Sequence, residues 1–280
     1  MPHSDTRRPA VAGMFYPADA PVLRGMVDAF LQAVEVPATS ALGAIAPHAG
    51  LVYSGQCAAH VLGRIEIPAV VVILAPNHTG RCAAPGGVSV WTRGRFSTPL
   101  GDVPVAEALA DALLARCDLA AADRIAHGGE HAIEVELPFL QVRTDTVEIL
   151  PIVLAWDDWR RAQQLATALA ELVAQWPQPV LLLASSDMTH YESAAHAAAK
   201  DRIALAAIER LDAEGLLAAC RQEHITMCGR GPAAVVIEAC RQLGAATATV
   251  VDYRHSGEVT GDDSSVVAYA GVILRRAATH

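Results

Sequence analysis

Aromatic residues are scarce, 5% of a 280-residue chain, and charged residues reach only 18%. Basic residues are outnumbered by acidic ones, 21 to 30, for a net charge of −9. That balance argues against a nucleic-acid partner, because neutralising phosphates takes a basic face. No uninterrupted apolar run reaches the roughly 18–20 residues that span a bilayer, so no membrane partner is expected. The opening "MPHSDTRRPA" has no apolar stretch after its arginines of the kind a secretory signal needs. The expectation is a cytoplasmic protein. Its six cysteines (57, 82, 117, 220, 228 and 240) include no C-x-x-C pair and read as free thiols. Tandem repeats, low-complexity tracts and long linkers are absent too, which gives one domain over 1–280.

What the chain does have is 52% hydrophobic residues, ample for a large core. Runs rich in Val, Ile and Leu at 41–46, 69–75, 87–91, 147–154, 179–184, 247–253 and 265–274 predict strands. Apolar residues at helical spacing predict helices over 20–34, 105–115, 159–176, 193–211 and 232–244. The alternation points to an α/β domain with a largely parallel sheet. "RGRFSTPLGDVPV" (93–105) reads as a hairpin or loop excursion on that domain.

Three of the apolar runs end in polar chemistry. "ALGAIAPHAGLVYSG" delivers His48, "AVVVILAPNHTG" delivers His78, and "PVLLLASSDMTHYE" delivers Asp187 and His190. Ligands of open α/β sheets sit beyond the carboxyl ends of the strands. If these strands are parallel neighbours, the four side chains converge. Pro47, Gly50 and Gly55 are expected to shape a turn that keeps His48 at the rim. In "TMCGRGPAAVV", Cys228 precedes a predicted helix with Pro232 in its first turn. A helix N-terminus favours thiolate, so Cys228 is expected to be the most oxidation-sensitive thiol. Two imidazoles and a thiolate make a three-donor metal site with open positions.

Each residue also has a plainer reading. A histidine at a strand end is often only hydrogen-bonded, and a lone cysteine is often an inert buried one. "THYE" fits a capping box, with Thr189 as N-cap and Glu192 reaching back. "HGGEHAIEVELPFLQ" offers His127, Glu130, His131, Glu134 and Glu136; a solvated helix start is the favoured reading and a second metal the other.

Taken together, the motifs resemble the Memo family, known in prokaryotes as AmmeMemoRadiSam system protein B. They are "RRPAVAGMFYP" (7–17), "APHAGLVYSG" (46–55), "APNHTG" (75–80), "GEHAIEVELPFLQ" (129–141), "SSDMTHY" (185–191), "CGRGP" (228–232) and "YRHSGEVTGDDSSVVAYAG" (253–271). The resemblance implies the fold of class III extradiol dioxygenases, a single three-layer domain whose mixed, mostly parallel sheet lies between helices. By motif it implies His48, His78 and Cys228 as ligands of one transition metal, iron or copper, with zinc as an alternative. Asp187 and His190 would line the same pocket, His190 as the acid–base group. It further implies that "RRPAVAGMFYP" folds over the site, with Phe15 and Tyr16 as an aromatic wall. Leu51, Ala75 and Ala233 depart from the residues usual in the family and are expected to alter the pocket wall.

The function expected from this set is a metal-dependent oxidoreductase acting on a small chelating molecule. A non-catalytic metal-binding or peptide-binding protein and a zinc hydrolase are the alternatives. The family name implies AMMECR-type and radical SAM proteins as partners.

Overall fold

Val, Ile and Leu runs that are buried on both faces form the centre of the molecule, as crossover-connected parallel strands require. The computed structural model describes residues 5–277; the outermost residues of the 1–280 domain reading, and the start of "MPHSDTRRPA", lie outside the described residues. In chain order the strands are β1 (Thr6–Arg7), β2 (Gly43–Ala46), β3 (Val70–Pro76), β4 (Val88–Val90), β5 (Arg95–Thr98), β6 (Gly101–Pro104), β7 (Ala120–Ala122), β8 (Glu148–Leu154), β9 (Val180–Ser185), β10 (His190–Glu192), β11 (Thr247–His255) and β12 (Val266–Arg275). The helices are α1 (Ala20–Gln32), α2 (Leu51–Leu62), α3 (Glu107–Leu114), α4 (Leu137–Arg143), α5 (Trp159–Gln175), α6 (Ala194–Glu209), α7 (Ala213–Gln222), α8 (Arg230–Gln242) and α9 (Gly257–Thr260), with a 3-10 turn over Glu134–Glu136 before α4.

The central sheet runs β10-β12-β2-β9-β3-β8-β4-β7, with β11 also on β12. Its middle, β2-β9-β3-β8, is parallel throughout. Antiparallel pairs lie to either side, β12 with β2 and β4 with β8. The fold is therefore a single α/β domain with a mixed sheet between helical layers. Alternate residues of β3 feed two cores. Val72 and Leu74 pack in the cluster that holds Leu165 and Leu169 of α5 and Val236 of α8. Val71 and Ile73 pack in the one with Leu23 of α1, Leu62 of α2 and Phe139 of α4. Each such side chain, fully buried, contributes about 1.5–3 kcal/mol.

Two expectations fail here for packing reasons. Gly55 shapes no turn: it lies inside α2, where a Cβ would sit 2.4 Å from Cε2 of Phe30 on α1. The glycine permits close approach of two helices, and burial of Leu51, Ala58 and Leu62 outweighs its poor helix propensity. Leu51, Ala75 and Ala233 are likewise fully buried, so their departures adjust the core and not a pocket wall. The 93–105 excursion is the hairpin β5–β6, which β1 joins as a third strand. Among the described residues, no helix is long and apolar enough to cross a membrane.

Candidate metal centre

Because β2, β9 and β3 are adjacent and parallel, their carboxyl ends open on one edge of the sheet. His48 follows β2, Asp187 follows β9, and His78 follows β3. Cys228 arrives from the loop before α8. Gly229 beside it presses on the end of β9, where a Cβ would meet the Ser185 carbonyl and the Ser186 side chain at 2.4 Å. One donor atom each from His48, His78 and Cys228 falls within a mutual 4.8 Å. The rings of His48 and His78 stand edge to face, centroids 5.1 Å apart. Asp187, His190 and Cys228 form an overlapping group at the same spacing. The structure thus brings together all five residues singled out from sequence.

Hydrogen bonds show which atoms are already engaged. Nδ1 of His78 lies 2.9 Å from Oε1 of Glu130, and the His78 amide donates to Oε2 at 2.6 Å. His78 therefore presents Nε2 outward. Nδ1 of His48 meets the Ser185 hydroxyl at 2.9 Å, while Nε2 faces Sγ of Cys228 at 3.4 Å. Asp187 accepts from the amides of His48 (2.8 Å) and Ala49 (3.3 Å), and its own amide donates to Sγ of Cys228 at 3.2 Å. Nδ1 of His190 lies 3.1 Å from the Thr226 carbonyl, which can only accept, so Nδ1 is the donor there and Nε2 is the ring atom left for other partners. The atoms that converge are then two imidazole nitrogens and one sulfur, a donor set that fits a transition metal.

Electrostatics alter one expectation. Burial, reinforced by the charge of Asp187, raises Cys228 well above the ordinary thiol range. The helix start does not overcome that, so metal-free Cys228 is a protonated thiol. Sulfur and Nε2 of His48 share a proton that a metal ion would displace. Burial, then the neighbouring His78 and His131, holds His48 well below the usual imidazole range. Burial would also lower His78, but its hydrogen bond and charge interaction with Glu130 raise it instead. Exposed Cys82 becomes the better candidate for first oxidation.

The acidic stretch is not a solvated helix start. Glu130, Glu134 and Glu136 are all buried. Glu130 belongs to a second cluster with His78 and His131. Its Oε1, however, also accepts the amides of His131 (2.9 Å) and Ala132 (3.0 Å), so it orients His78 instead of waiting for a second metal. Burial would raise Glu130; His78, the Ala132 amide and His131 outweigh it and hold the carboxyl at about 2. Glu134 pairs with Arg7 and accepts the amides of Ala10 and Val11 and the Tyr16 hydroxyl. That clamp folds the N-terminal arm toward the site. Phe15 packs on His131, centroids 4.7 Å apart, and His131 in turn lies 5.4 Å from His48. Phe15 is thus beside the site, whereas Tyr16 faces away from it into the clamp. His127 is buried behind Trp91 and Phe96, its Nε2 3.0 Å from the Ser89 carbonyl.

"THYE" forms no capping box. Thr189 gives its amide and hydroxyl to Asp201 of α6, and Glu192 takes Lys200. Ser193 caps α6 by accepting from the His196 amide. Sequence reasoning missed Ser185, Thr226 and Arg7. The one available signal was two acids embedded in an apolar run, "AIEVELPFL", a pattern that suggests burial with partners.

Beside the donors, a cleft of about 310 Å³ is lined by Asn77, His78, Trp156, Cys228 and Arg230. A larger hollow of about 660 Å³, around Leu42, Trp176 and Pro177, lies at the opposite edge of the sheet and contains no histidine, cysteine or acid. Chemistry therefore belongs to the smaller cleft. Fold and site together define an α/β protein with a cluster of candidate metal ligands, two histidines and a cysteine, at the carboxyl edge of its sheet.

A sequence model of the family described as "Memo-like protein" matches residues 7–273. The chain is 42% identical to a MEMO1 family protein of Aquifex aeolicus, with 96% of this chain and 98% of the relative covered. It is 39% identical to one of Methanopyrus kandleri, at 96% and 99% coverage. Another, of Methanosarcina acetivorans, is 38% identical, again at 96% and 99%. The chain belongs to the Memo family.

Proposed function

We propose that this protein binds one transition-metal ion through His48, His78 and Cys228 and uses it in oxidoreductase chemistry on a small chelating molecule. The observation that supports this is the convergence of the three donors, with each histidine held at Nδ1 by a neighbour so that it presents Nε2. A bound Fe(II) or copper would supply open positions and redox capacity. The chain's own residues do the rest. Glu130 orients His78, and Asp187 holds the turn carrying His48. His190, through Nε2, takes a proton from a ligand beside Cys228. The cleft along Trp156 and Arg230 receives that ligand. The dioxygenase fold that the sequence motifs imply is the ground for proposing a ring-bearing chelator and iron. AMMECR-type and radical SAM proteins are the partners to test, and the cytoplasm is the compartment that keeps its free thiols reduced.

The test is the metal content of untagged protein purified anaerobically without chelator, followed by O₂ uptake with catechol-like and other chelating compounds. Iron with substrate-dependent uptake supports the proposal. Tight Cu(I) without turnover makes the protein a metal carrier, and zinc with ester hydrolysis makes it a hydrolase. Failure to bind any of the three metals overturns it.

A further inference from the structure

Three groups converge on the buried hydroxyl of Ser185 at the end of β9. They are Nδ1 of His48 at 2.9 Å, the Ala132 carbonyl at 2.7 Å and Oε1 of Glu136 at 2.8 Å. A hydroxyl has one proton to give and two lone pairs to offer. The Ala132 carbonyl can only accept. When it takes the Ser185 proton, the other two groups must both donate, His48 through Nδ1–H and Glu136 through a carboxylic O–H. Every valence of Ser185 is then used. With Glu136 ionised, Ser185 would hold one proton for two acceptor oxygens, and one contact would be left bare.

The setting of Glu136 agrees with that count. The residue is fully buried and its Oε2 has no partner. Burial raises its pKa, the Ser185 hydrogen bond offsets part of this, and Asp187 adds a like charge, leaving it up to about 8. A buried anion with an orphan oxygen is costly; a neutral acid with an unpaired C=O is much less so.

We infer that Glu136 is a neutral carboxylic acid that acts through Ser185 to lock His48 as the Nδ1–H tautomer, with Nε2 presented to Cys228. Glu136 is a positioning residue and does not reach the cleft. The two histidines are then backed differently: His78 by a carboxylate, His48 by a hydroxyl and an uncharged acid. The importance of the His48 tautomer rests on the metal reading above; the protonation of Glu136 does not.

The first test is made on metal-free wild-type protein with 13C-labelled glutamate. One side-chain carboxyl should remain in the protonated position at pH 6.5 and be missing in Glu136→Gln. Complete ionisation of all glutamates at that pH would overturn the inference, whether or not a variant folds. The second test is zinc titration. Glu136→Gln keeps a donor for Ser185 and should bind within about threefold of wild type. Glu136→Leu and Ser185→Ala should lose roughly 10–100-fold. A loss in Glu136→Gln as large as in Glu136→Leu would mean that the charge is needed, and the neutral acid would be wrong. If wild type itself takes up no zinc, iron or copper, the metal reading fails while the carboxyl signal still decides Glu136.

Discussion

Replacing Glu130 by Gln isolates the carboxylate that backs His78. Its two oxygens accept four hydrogen bonds: Nδ1 and the amide of His78, and the amides of His131 and Ala132. The carboxyl is held at about 2 against an ordinary 4.5. That gap corresponds to roughly 3 kcal/mol of folding stability by proton linkage. The sign follows from a depressed acid: the contribution is present above pH 4.5 and is lost as pH falls toward 2. His78 is shifted the other way, raised above 6.5 by Glu130 once burial is outweighed. Its share is complete below pH 6.5 and fades as pH rises through the raised value. The advantage of wild type over Glu130→Gln should therefore peak between pH 4.5 and 6.5 and shrink on both sides. Gln also leaves one amide facing an NH₂ group, a further cost of about 1–3 kcal/mol that does not vary with pH. Urea unfolding of both metal-free proteins from pH 3 to 8 measures this. A difference that stays flat across that range, or keeps growing as pH falls below 4.5, would refute the assignment of Glu130 as an ionised partner of His78.

The remaining predictions concern the donors and the loop that carries them. Cys228→Ala should sharply lower the metal content of purified protein while the unfolding midpoint changes little; equal occupancy would remove Cys228 from the ligand set. Because metal-free Cys228 is protonated, uptake of zinc should release at least one proton per ion near pH 7, seen as a buffer-dependent heat in calorimetry, and a buffer-independent heat would contradict it. His190→Ala should leave metal bound but reduce any turnover by roughly 10²–10⁴, so loss of the metal itself would make His190 a ligand. Gly229→Ala puts a Cβ 2.4 Å from the Ser185 carbonyl, so it should cost about 1–3 kcal/mol and weaken metal binding; wild-type values for both would mean that the loop yields freely.

Much of the fold was legible because its strands are continuous apolar runs and its longer helices amphipathic. β3, β8 and β9 lie within a residue of their expected bounds. α2 was not legible, since two glycines near an "APHAG" turn read as loop until Phe30 is seen to need the space beside Gly55. The convergence of His48, His78 and Asp187 could be read from strand ends, given parallel neighbours. The environment of Cys228 could not: the helix start is visible in sequence, but its burial and the charge of Asp187 are long-range facts, and they prevail.

The acidic stretch shows most sharply why residue type does not settle role. Glu130, Glu134 and Glu136 are the same residue, four and two positions apart, all buried at the start of α4. Glu130 lies in the loop ahead of the 3-10 turn that carries Glu134 and Glu136, and each of the three meets a different chemistry. Glu130 meets His78 and three amides, so it is ionised and orients a candidate ligand. Glu134 meets Arg7, Tyr16 and two amides of the N-terminal arm, so it closes the arm that sets Phe15 against His131. Glu136 meets only the Ser185 hydroxyl and the distant like charge of Asp187, which favour the uncharged acid. The side chain that decides each case, His78, Arg7 or Ser185, comes from a segment remote in sequence: the end of β3, the N-terminal arm or β9. Position within the motif therefore predicts burial, and only the fold assigns the protons.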